Sequence, residues 1–256
     1  MAGDLLLGFA AGVVIATVTA PVGVSGAVFL LPVQLTMLGV PNPAVTPTNL
    51  LYNVIAGPGA LLRYRRSGHL RGPLARLLLL GTIPGVVLGA VIRVFVLPGP
   101  QAFRVVAGLT LLTLGLWLIR RTVAPSTGRA LTRRSMGALA LCVGVVGGVY
   151  GIGGGSLLSP VLVGSGMTVA VVAPAALAST FVTSVVGAIT FAVLALFTEG
   201  AIAPDWPIGI ACGVGGLVGG YLGARLQPFV PEAVLRTLLG CLAVSVGSLY
   251  LIQATV

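Results

Sequence analysis

The sequence predicts an all-α membrane protein that crosses the bilayer several times, and three observations indicate this. Hydrophobic residues make up 57% of the 256 residues, charged residues only 7%, and the mean hydropathy is +1.14. A soluble domain carries roughly 25% charged residues. The apolar residues form runs long enough for membrane helices, which need about 20 residues each. The third observation is a glycine-rich motif that occurs once in each half of the chain.

The glycine-rich motif is clearest in the second half. Gly151, Gly153, Gly154 and Gly155 lie between two apolar runs, and Pro160 follows them. A glycine cluster inside an apolar stretch favours a break in a membrane helix, because glycine lets the backbone leave the helical path. We therefore predict a broken membrane helix at this point.

A weaker copy of this motif lies 128 residues earlier, at Gly23, Ser25 and Gly26. In both copies the first glycine precedes a proline by nine residues, and Pro32 is that proline in the first copy. The surrounding apolar segment, residues 5–39, is too long for one straight crossing and too short for two. We predict a helix, a break and a second helix that turns back near the middle of the membrane.

The remaining segments give the two halves the same plan. We expect residues 1–121 to form the first membrane repeat, residues 122–134 a basic cytoplasmic linker and residues 135–256 the second repeat. Each repeat contains one glycine-broken segment followed by three apolar segments. In chain order the predicted segments cover residues 5–39, 45–62, 74–96 and 102–119, and then 136–166, 169–197, 208–226 and 233–252.

Matching residues recur between the repeats at an offset of 130 to 132 residues. The pairs are Gly57 with Gly187, Gly85 with Gly216, Arg104 with Arg236, and Gly108 with Gly240. An internal duplication of this kind is typical of membrane transporters.

The distribution of arginine favours one topology. If each half is a re-entrant or kinked broken helix plus three crossings, the halves are inverted, and all arginines except Arg93 and Arg104 lie on one side. If each half has four crossings, the halves are parallel, with eight spans, and the arginines divide more evenly. Cytoplasmic loops are enriched in Lys and Arg. Two inverted repeats are therefore favoured, and the parallel 4+4 arrangement is the alternative.

Several function classes find no support in the sequence. The net charge of +10 comes from arginines near segment ends, which indicates orientation in a membrane and not nucleic-acid binding. The three cysteines are isolated and form no metal-binding pattern. No dinucleotide fingerprint or P-loop is complete, so we predict no enzyme, cofactor or metal. The four acids lie at segment ends, His69 lies in a basic loop, and no arginine is predicted deep inside a span.

The glycine motifs predict an anion-binding site. A broken helix directs the N–H groups of its second part, and the positive end of its dipole, at whatever occupies the gap. Asn49 and Asn53 on the next segment add side-chain donors, and Ser179 and Thr183 match them at an offset of 130. Each pair is four residues apart and shares one helix face. The alternative is that the glycines allow close helix packing and the polar side chains bond within or between helices.

The predicted substrate-binding residues come from both halves of the chain. They are Gly23, Ser25, Gly26, Asn49, Asn53, Gly151, Gly153, Gly154, Gly155, Ser156, Ser179 and Thr183. We predict no catalytic residue among them.

The Gly-x-Gly-Gly-Gly stretch that begins at Gly151, the Pro160 that follows it, the duplicated halves and the basic loop after the second segment resemble the TauE/SafE sulfite-exporter family. The resemblance covers residues 8–251 and is strongest between Gly151 and Pro160. It implies transport of sulfite or a small organosulfur anion across the cytoplasmic membrane.

We therefore expect a transporter of a small organosulfur anion such as sulfite, sulfoacetate or a related sulfonate, with export as the favoured direction. An importer of a sulfur or carboxylate anion and a membrane-embedded structural or assembly subunit are the alternatives. The expected partners are the anion, the lipid bilayer and, as an option, a second copy of the chain in a homodimer, without nucleic acid. Because no span is predicted to contain a carboxylate or histidine, we expect the membrane potential, or protons carried by the substrate, to drive transport.

Overall fold

A computed structural model describes residues 2–42, 44–65, 70, 72–96, 100–123, 132–165, 167–198 and 202–255. Within these residues every regular element is a helix, which confirms the all-α prediction. The loop that contains His69, most of the predicted linker and Glu199 lie outside the described residues, as do the side chains of Arg104 and Arg236.

Ten α-helices and short helical turns form the described part of the chain. The helices are α1 (Ala2–Thr19), α2 (Ala27–Pro32), α3 (Val45–Tyr64), α4 (Pro73–Phe95), α5 (Pro100–Val123), α6 (Arg133–Tyr150), α7 (Leu158–Gly164), α8 (Val169–Ala195), α9 (Trp206–Leu226) and α10 (Glu232–Thr255). A 3₁₀ turn (Ala20–Val22) follows α1, a π-helical stretch (Val33–Met37) follows α2, and a second 3₁₀ turn (Gln227–Phe229) follows α9.

The order of elements is the same in the two halves. A long helix, α1 or α6, ends at a break, and a short helix, α2 or α7, follows it. Three longer helices complete each half, so that α3 corresponds to α8, α4 to α9 and α5 to α10. The chain leaves the helical path at residues 20–26 and 151–157, where the glycine clusters predict breaks.

The first helix of each half packs against the third helix of the other half, and glycines allow the close approach. Along each pair the contacts advance in the same direction, so α4 runs parallel to α6 and α9 runs parallel to α1. The contacts are Gly81 with Ala140 and Gly89 with Gly148 in the first pair, and Gly215 with Phe9 and Gly223 with Thr17 in the second.

The predicted match between Gly85 and Gly216 is wrong by one residue. Gly85 lies against the Leu141 carbonyl of α6, and Gly215 lies against the Phe9 carbonyl of α1. Gly85 and Gly215 thus hold equivalent places in the two helix pairs. The sequence alone could not choose between adjacent glycines.

Helices α3 and α8 cross each other at the centre of the molecule in opposite directions. Gly57 lies against Phe181, whereas Gly187 lies against Leu50, further back along α3. Helices α5 and α10 also pack in opposite directions, while α3 runs parallel to α9 and α4 runs parallel to α8. Gly108–Gly247 and Gly115–Gly240 are the contacts between α5 and α10. Helices α3 and α9 meet at Leu51–Gly209 and Ala60–Gly220. Helices α4 and α8 meet at Thr82–Ser179 and Val86–Gly187.

These directions distinguish the two ends of the helix bundle. Helices α3 and α9 end where α4, α6 and α8 begin, and we call this the arginine-rich end. The described arginines there are Arg63, Arg65, Arg76, Arg120, Arg133, Arg134 and Arg225. Arg93, in the last turn of α4, lies at the other end, which we call the arginine-poor end.

Among the described residues, four helical stretches are long and apolar enough to cross a membrane. They are Ala2–Val22, Pro73–Phe95, Val169–Ala195 and Trp206–Phe229. Helix α3 has 20 residues but is less apolar, because it contains Thr46, Thr48, Asn49 and Asn53. All four of these side chains are buried between neighbouring helices. The polar side of α3 therefore faces protein, where hydrogen-bond partners exist, and not lipid.

Candidate functional site

The first break begins where α1 ends at Thr19. After one 3₁₀ turn, Gly23 takes a left-handed backbone conformation with φ of +75°. The Gly23 N–H donates to the Ala20 carbonyl at 3.1 Å, and the Val24 N–H donates to the Thr19 carbonyl at 3.2 Å. This bond pair is a Schellman-type helix end, which favours glycine because other residues adopt positive φ at a cost.

The second break repeats this geometry at the end of α6. Gly151 has φ of +69°, and the Ile152 N–H donates to the Gly147 carbonyl, five residues earlier, at 3.1 Å. The Val24 bond in the first break spans the same number of residues. Gly153 then adds a second left-handed position, with φ of +72°. The two helix ends therefore share one local structure, at the places where the two motif copies lie.

Close packing explains the other glycines of the breaks. A Cβ at Gly155 would lie 2.0 Å from the Ala176 carbonyl oxygen of α8, and one at Gly26 would lie 2.3 Å from the Tyr52 hydroxyl of α3. Carbon atoms in favourable contact are about 3.5–4.0 Å apart. The packing role that the sequence left open is therefore present, and it brings α3 and α8 directly against the breaks.

Hydrogen bonds join the breaks of the two halves. The Ser25 N–H, in the first break, donates to Ser156 Oγ, in the second, at 3.3 Å. Asn53 of α3 contacts both, because its Oδ1 accepts from Ser25 Oγ and its Nδ2 donates to the Gly151 carbonyl at 3.2 Å. Four of the predicted site residues, two from each half, thus form one buried cluster.

Asn49 lies one helical turn before Asn53 and also bridges the halves. Its Nδ2 donates to the Ala27 carbonyl at 3.0 Å and to the Tyr150 carbonyl at 3.4 Å. Its Oδ1 is buried and has no hydrogen-bond partner among the described residues. An unused buried acceptor is costly, and this one lies between the two breaks.

In the second half, Thr183 reaches the break but Ser179 does not. Thr183 Oγ1 accepts from the Gly154 N–H at 3.0 Å and donates to the Ser179 carbonyl at 2.7 Å. Ser179 Oγ instead lies 3.0 Å from Thr82 Oγ1 of α4, so it joins two helices. The sequence missed Thr180, whose hydroxyl lies 3.1 Å from Ser156 Oγ. Comparison of the two repeats does not point to Thr180, because the matching residue in α3 is the apolar Leu50.

A cavity of about 30 Å³ extends from the breaks towards the arginine-rich end. It holds room for about two water molecules. Ser25, Gly26 and Asn53 line its inner part, whereas Asn49 and Thr183 bind the backbone of the breaks. The other lining residues are Ala16, Thr19, Ala20, Val24, Tyr52, Ala56, Gly57, Ala60, Leu177, Thr180, Phe181, Gly216 and Gly220.

Arg93 lies in the last turn of α4, near the end of a span as the sequence predicts, but its burial was not predicted. Its side chain is 0% exposed, and its Nε donates to Thr46 Oγ1 at 3.2 Å. A second guanidinium nitrogen donates to Asn42 Oδ1. Residues before α3 and at its start cover the end of α4, and hydropathy along the sequence could not reveal this contact between distant segments.

Comparison with known proteins identifies the family. The sequence model described as "Sulfite exporter TauE/SafE" matches residues 7–250, nearly the whole chain. The chain belongs to the TauE/SafE family. A relative from Xylella fastidiosa (strain 9a5c), described as "Probable membrane transporter protein", is 29% identical over 239 residues, which cover 86% of this chain and 81% of the relative. This TauE/SafE protein is a multi-pass membrane transporter.

Family membership confirms the resemblance that the sequence suggested and gives the breaks of this TauE/SafE protein a context. In transporters built from two repeats, polar groups that bind the substrate lie near the middle of the membrane, at the interface between the repeats. Asn53 and Thr183, which bond to the breaks, lie near the middle of α3 and α8. The buried cluster combines backbone donors, hydroxyl groups and amides from both halves.

Proposed function

We propose that this TauE/SafE transporter moves a small organosulfur anion, such as sulfite, sulfoacetate or a related sulfonate, across the cytoplasmic membrane and exports it. The observation that carries this proposal is the meeting of the two breaks at the centre of the bundle. Donor groups from both halves converge there, and Ser25 and Gly154 supply backbone N–H groups. Substrate binding takes place at these breaks.

The present hydrogen bonds suggest how an anion enters the cluster. The Ser25 and Gly154 N–H groups donate to the hydroxyl oxygens of Ser156 and Thr183. An ionised oxygen is a stronger acceptor than a hydroxyl oxygen, so a sulfonate replaces these hydroxyls on the backbone donors. The displaced hydroxyl groups then rotate and donate to the anion, because each also carries a proton. The site therefore offers a bound anion both backbone N–H groups and both hydroxyl groups.

Helix directions support two inverted halves. Helices α3 and α8 correspond to each other and run in opposite directions, and so do α5 and α10. Helices α1 and α3 both run parallel to α9, so the chain between them turns back. This direction agrees with a re-entrant broken segment at α1–α2 and, in the second half, at α6–α7. Each half then has three full crossings, and the arginine-rich end is cytoplasmic.

The position of the cavity supports access from the cytoplasm. It lies between the breaks and the arginine-rich end, where Ala60 and Gly220 form its outer part. Its volume is too small for a sulfonate, so loading requires these helices to separate. A membrane potential that is negative inside expels a monoanion with about 2.3 kcal/mol per 100 mV. Cytoplasmic access and this driving force together favour export.

The test is anion binding to the purified protein, followed by thermal unfolding. The panel contains sulfite, sulfoacetate, taurine, sulfate and acetate, and the variants are Thr183→Val and Thr190→Val. Thr183 binds the Gly154 N–H, whereas Thr190 bonds back to Val186 two turns later in α8 and serves as the matched control. We expect sulfite or sulfoacetate to raise the melting temperature of the wild type and the control, with a smaller effect on Thr183→Val. Equal shifts by all anions, or none, would contradict the proposal.

Transport direction is tested in proteoliposomes with an imposed potential. An exporter driven by the potential moves sulfoacetate away from the negative side, and reversal of the potential reverses the flux. Transport by the purified chain alone also separates a transporter from an assembly subunit. Uptake towards the negative side would contradict export and favour the importer.

A further inference from the structure

Arg93 is a charged side chain in an unusual place. It lies in the last turn of α4 at the arginine-poor end, and none of its surface is exposed. A charge inside a membrane protein is costly, and such residues usually face a polar cavity or a transport path. The substrate cluster described above does not include this side chain, so it requires its own explanation.

The contacts of Arg93 lead directly to the second break. Its Nε donates to Thr46 Oγ1, and Thr46 Oγ1 in turn donates to the Val149 carbonyl at 3.2 Å. The Thr46 carbonyl packs against Gly151, where a Cβ would come within 2.2 Å of it. Thr46 is thus held between the guanidinium and the turn that begins the break. A movement of the start of α3 changes both contacts together.

Arg93 and the cavity lie on opposite sides of the breaks. The cavity extends from the breaks towards the arginine-rich end, whereas Arg93, Asn42 and Thr46 lie towards the arginine-poor end. In the second half, the residue that matches Arg93 at an offset of 132 is Arg225, in the last turn of α9, and it is exposed. The two halves therefore differ in burial here, because Arg93 is enclosed by protein and Arg225 is not.

We propose that Arg93 binds the anion on its way out, after it leaves the breaks. In the present structure Asn42 and Thr46 hold the guanidinium and close the arginine-poor side. When the start of α3 moves away, the guanidinium exchanges these neutral oxygens for the anion. A guanidinium donates two parallel hydrogen bonds to an anionic group, and these are stronger than bonds to neutral acceptors. This proposal rests on the proposed function, because it requires an anion to pass the breaks.

The test compares Arg93→Met, Arg93→Lys and Thr46→Val in proteoliposomes, with sulfoacetate as the probe. We expect Arg93→Met to lose transport by about tenfold or more, and Arg93→Lys, which keeps the charge, to recover part of it. Thr46→Val removes two hydrogen bonds of the same cluster, one from Arg93 and one to the Val149 carbonyl, without removing the charge, so it should still transport. Thermal shifts by sulfoacetate should stay unchanged in all three, because binding at the breaks does not involve Arg93.

Two results would overturn this proposal: wild-type transport by Arg93→Met, or equal losses in Arg93→Met, Arg93→Lys and Thr46→Val, which would indicate a structural role. Absence of both binding and transport in the wild type would instead overturn the proposed function. If Arg93→Met does not fold, labelling of the wild type decides the question. A membrane-impermeant arginine reagent, applied from the arginine-poor side and mapped by mass spectrometry, should modify Arg93 several-fold faster during transport than at rest. An unchanged rate would overturn the proposal.

Discussion

The two sides of the helix breaks differ, although the helices around them are arranged alike. Towards the arginine-rich end, α9 presents Gly216 and Gly220 to α3, and the cavity lies beside them. Towards the arginine-poor end, α4 carries Val86 and Ala90 at the matching positions, and both are fully buried. Two larger side chains close one side, and two glycines leave the other side open. Similar backbones thus give two different sides, and the side-chain volume at these matching positions sets how much space lies beside α9 and α4.

The polar groups differ between the two sides as well. On the open side, Asn53 and Thr180 line the cavity and bond to the breaks. On the closed side, Arg93 donates to Thr46 and Asn42. Because hydrogen bonds as well as packing close this side, its polar groups can bond to other partners when it opens. Three substitutions test this comparison, beginning with the largest expected effect.

The largest loss of stability is expected at Gly155, which packs the second break directly against α8. Gly155→Val places a Cβ within 2.0 Å of the Ala176 carbonyl oxygen, and α8 would have to move away from the break. We expect a loss of about 4 kcal/mol or more, enough to prevent folding. Gly137→Ala in α6 is the control, because a Cβ there meets no atom within 4 Å. Size-exclusion profiles and melting temperatures in detergent check both variants. A stable, monodisperse Gly155→Val protein would contradict the packing described here.

The next largest effect is expected on transport, from a substitution in the cavity between α3 and α9. Gly220→Leu fills the space between α9 and α3, and we expect a folded protein that has lost most of its sulfoacetate transport. Gly220→Ala is the matched control, because its Cβ would lie 3.5 Å from the nearest atom, an ordinary contact. We expect the alanine variant to transport at close to the wild-type rate. Equal transport by the leucine variant would show that substrate does not pass through the cavity.

The sequence predicted the local features of the site well. The positive φ angles of Gly23 and Gly151 depend on residues within one turn, so a glycine motif is enough to locate them. The spacing of Asn49 and Asn53 likewise predicted that both lie on one face of α3 and line a cavity; both bond to backbone at the breaks, but only Asn53 lines the cavity. Membrane insertion and the helical fold followed from composition, which sums over the whole chain.

Features that depend on distant segments could not be predicted. Ser179 and Thr183 share a helix face, but only the packed structure shows that α4 places Thr82 beside the first of them. The burial of Arg93 depends on how the residues around Asn42 close over α4. The polar cavity between α3 and α9 depends on differences such as Gly220 against Ala90, which pairs of identical residues do not reveal.

The smallest effect is expected on the closed side. Val86 packs against Gly187 of α8, and Val86→Ala removes two methyl groups from this contact. We expect a loss of about 1–2 kcal/mol from the closed state. If that loss favours opening towards the arginine-poor end, exchange of labelled sulfoacetate accelerates by up to about fivefold, as a shift of 1 kcal/mol allows. Initial exchange rates and melting temperatures measure the two effects separately.

The neighbouring residue Val87 provides the control for this substitution. It is 38% exposed, so Val87→Ala removes the same two methyl groups from the outer surface of α4. It should leave the exchange rate unchanged. Equal rates for the two variants would mean that the volume of Val86 does not limit opening. The closed side would then depend on the hydrogen bonds of Arg93 alone, and Thr46→Val should accelerate exchange where Val86→Ala does not.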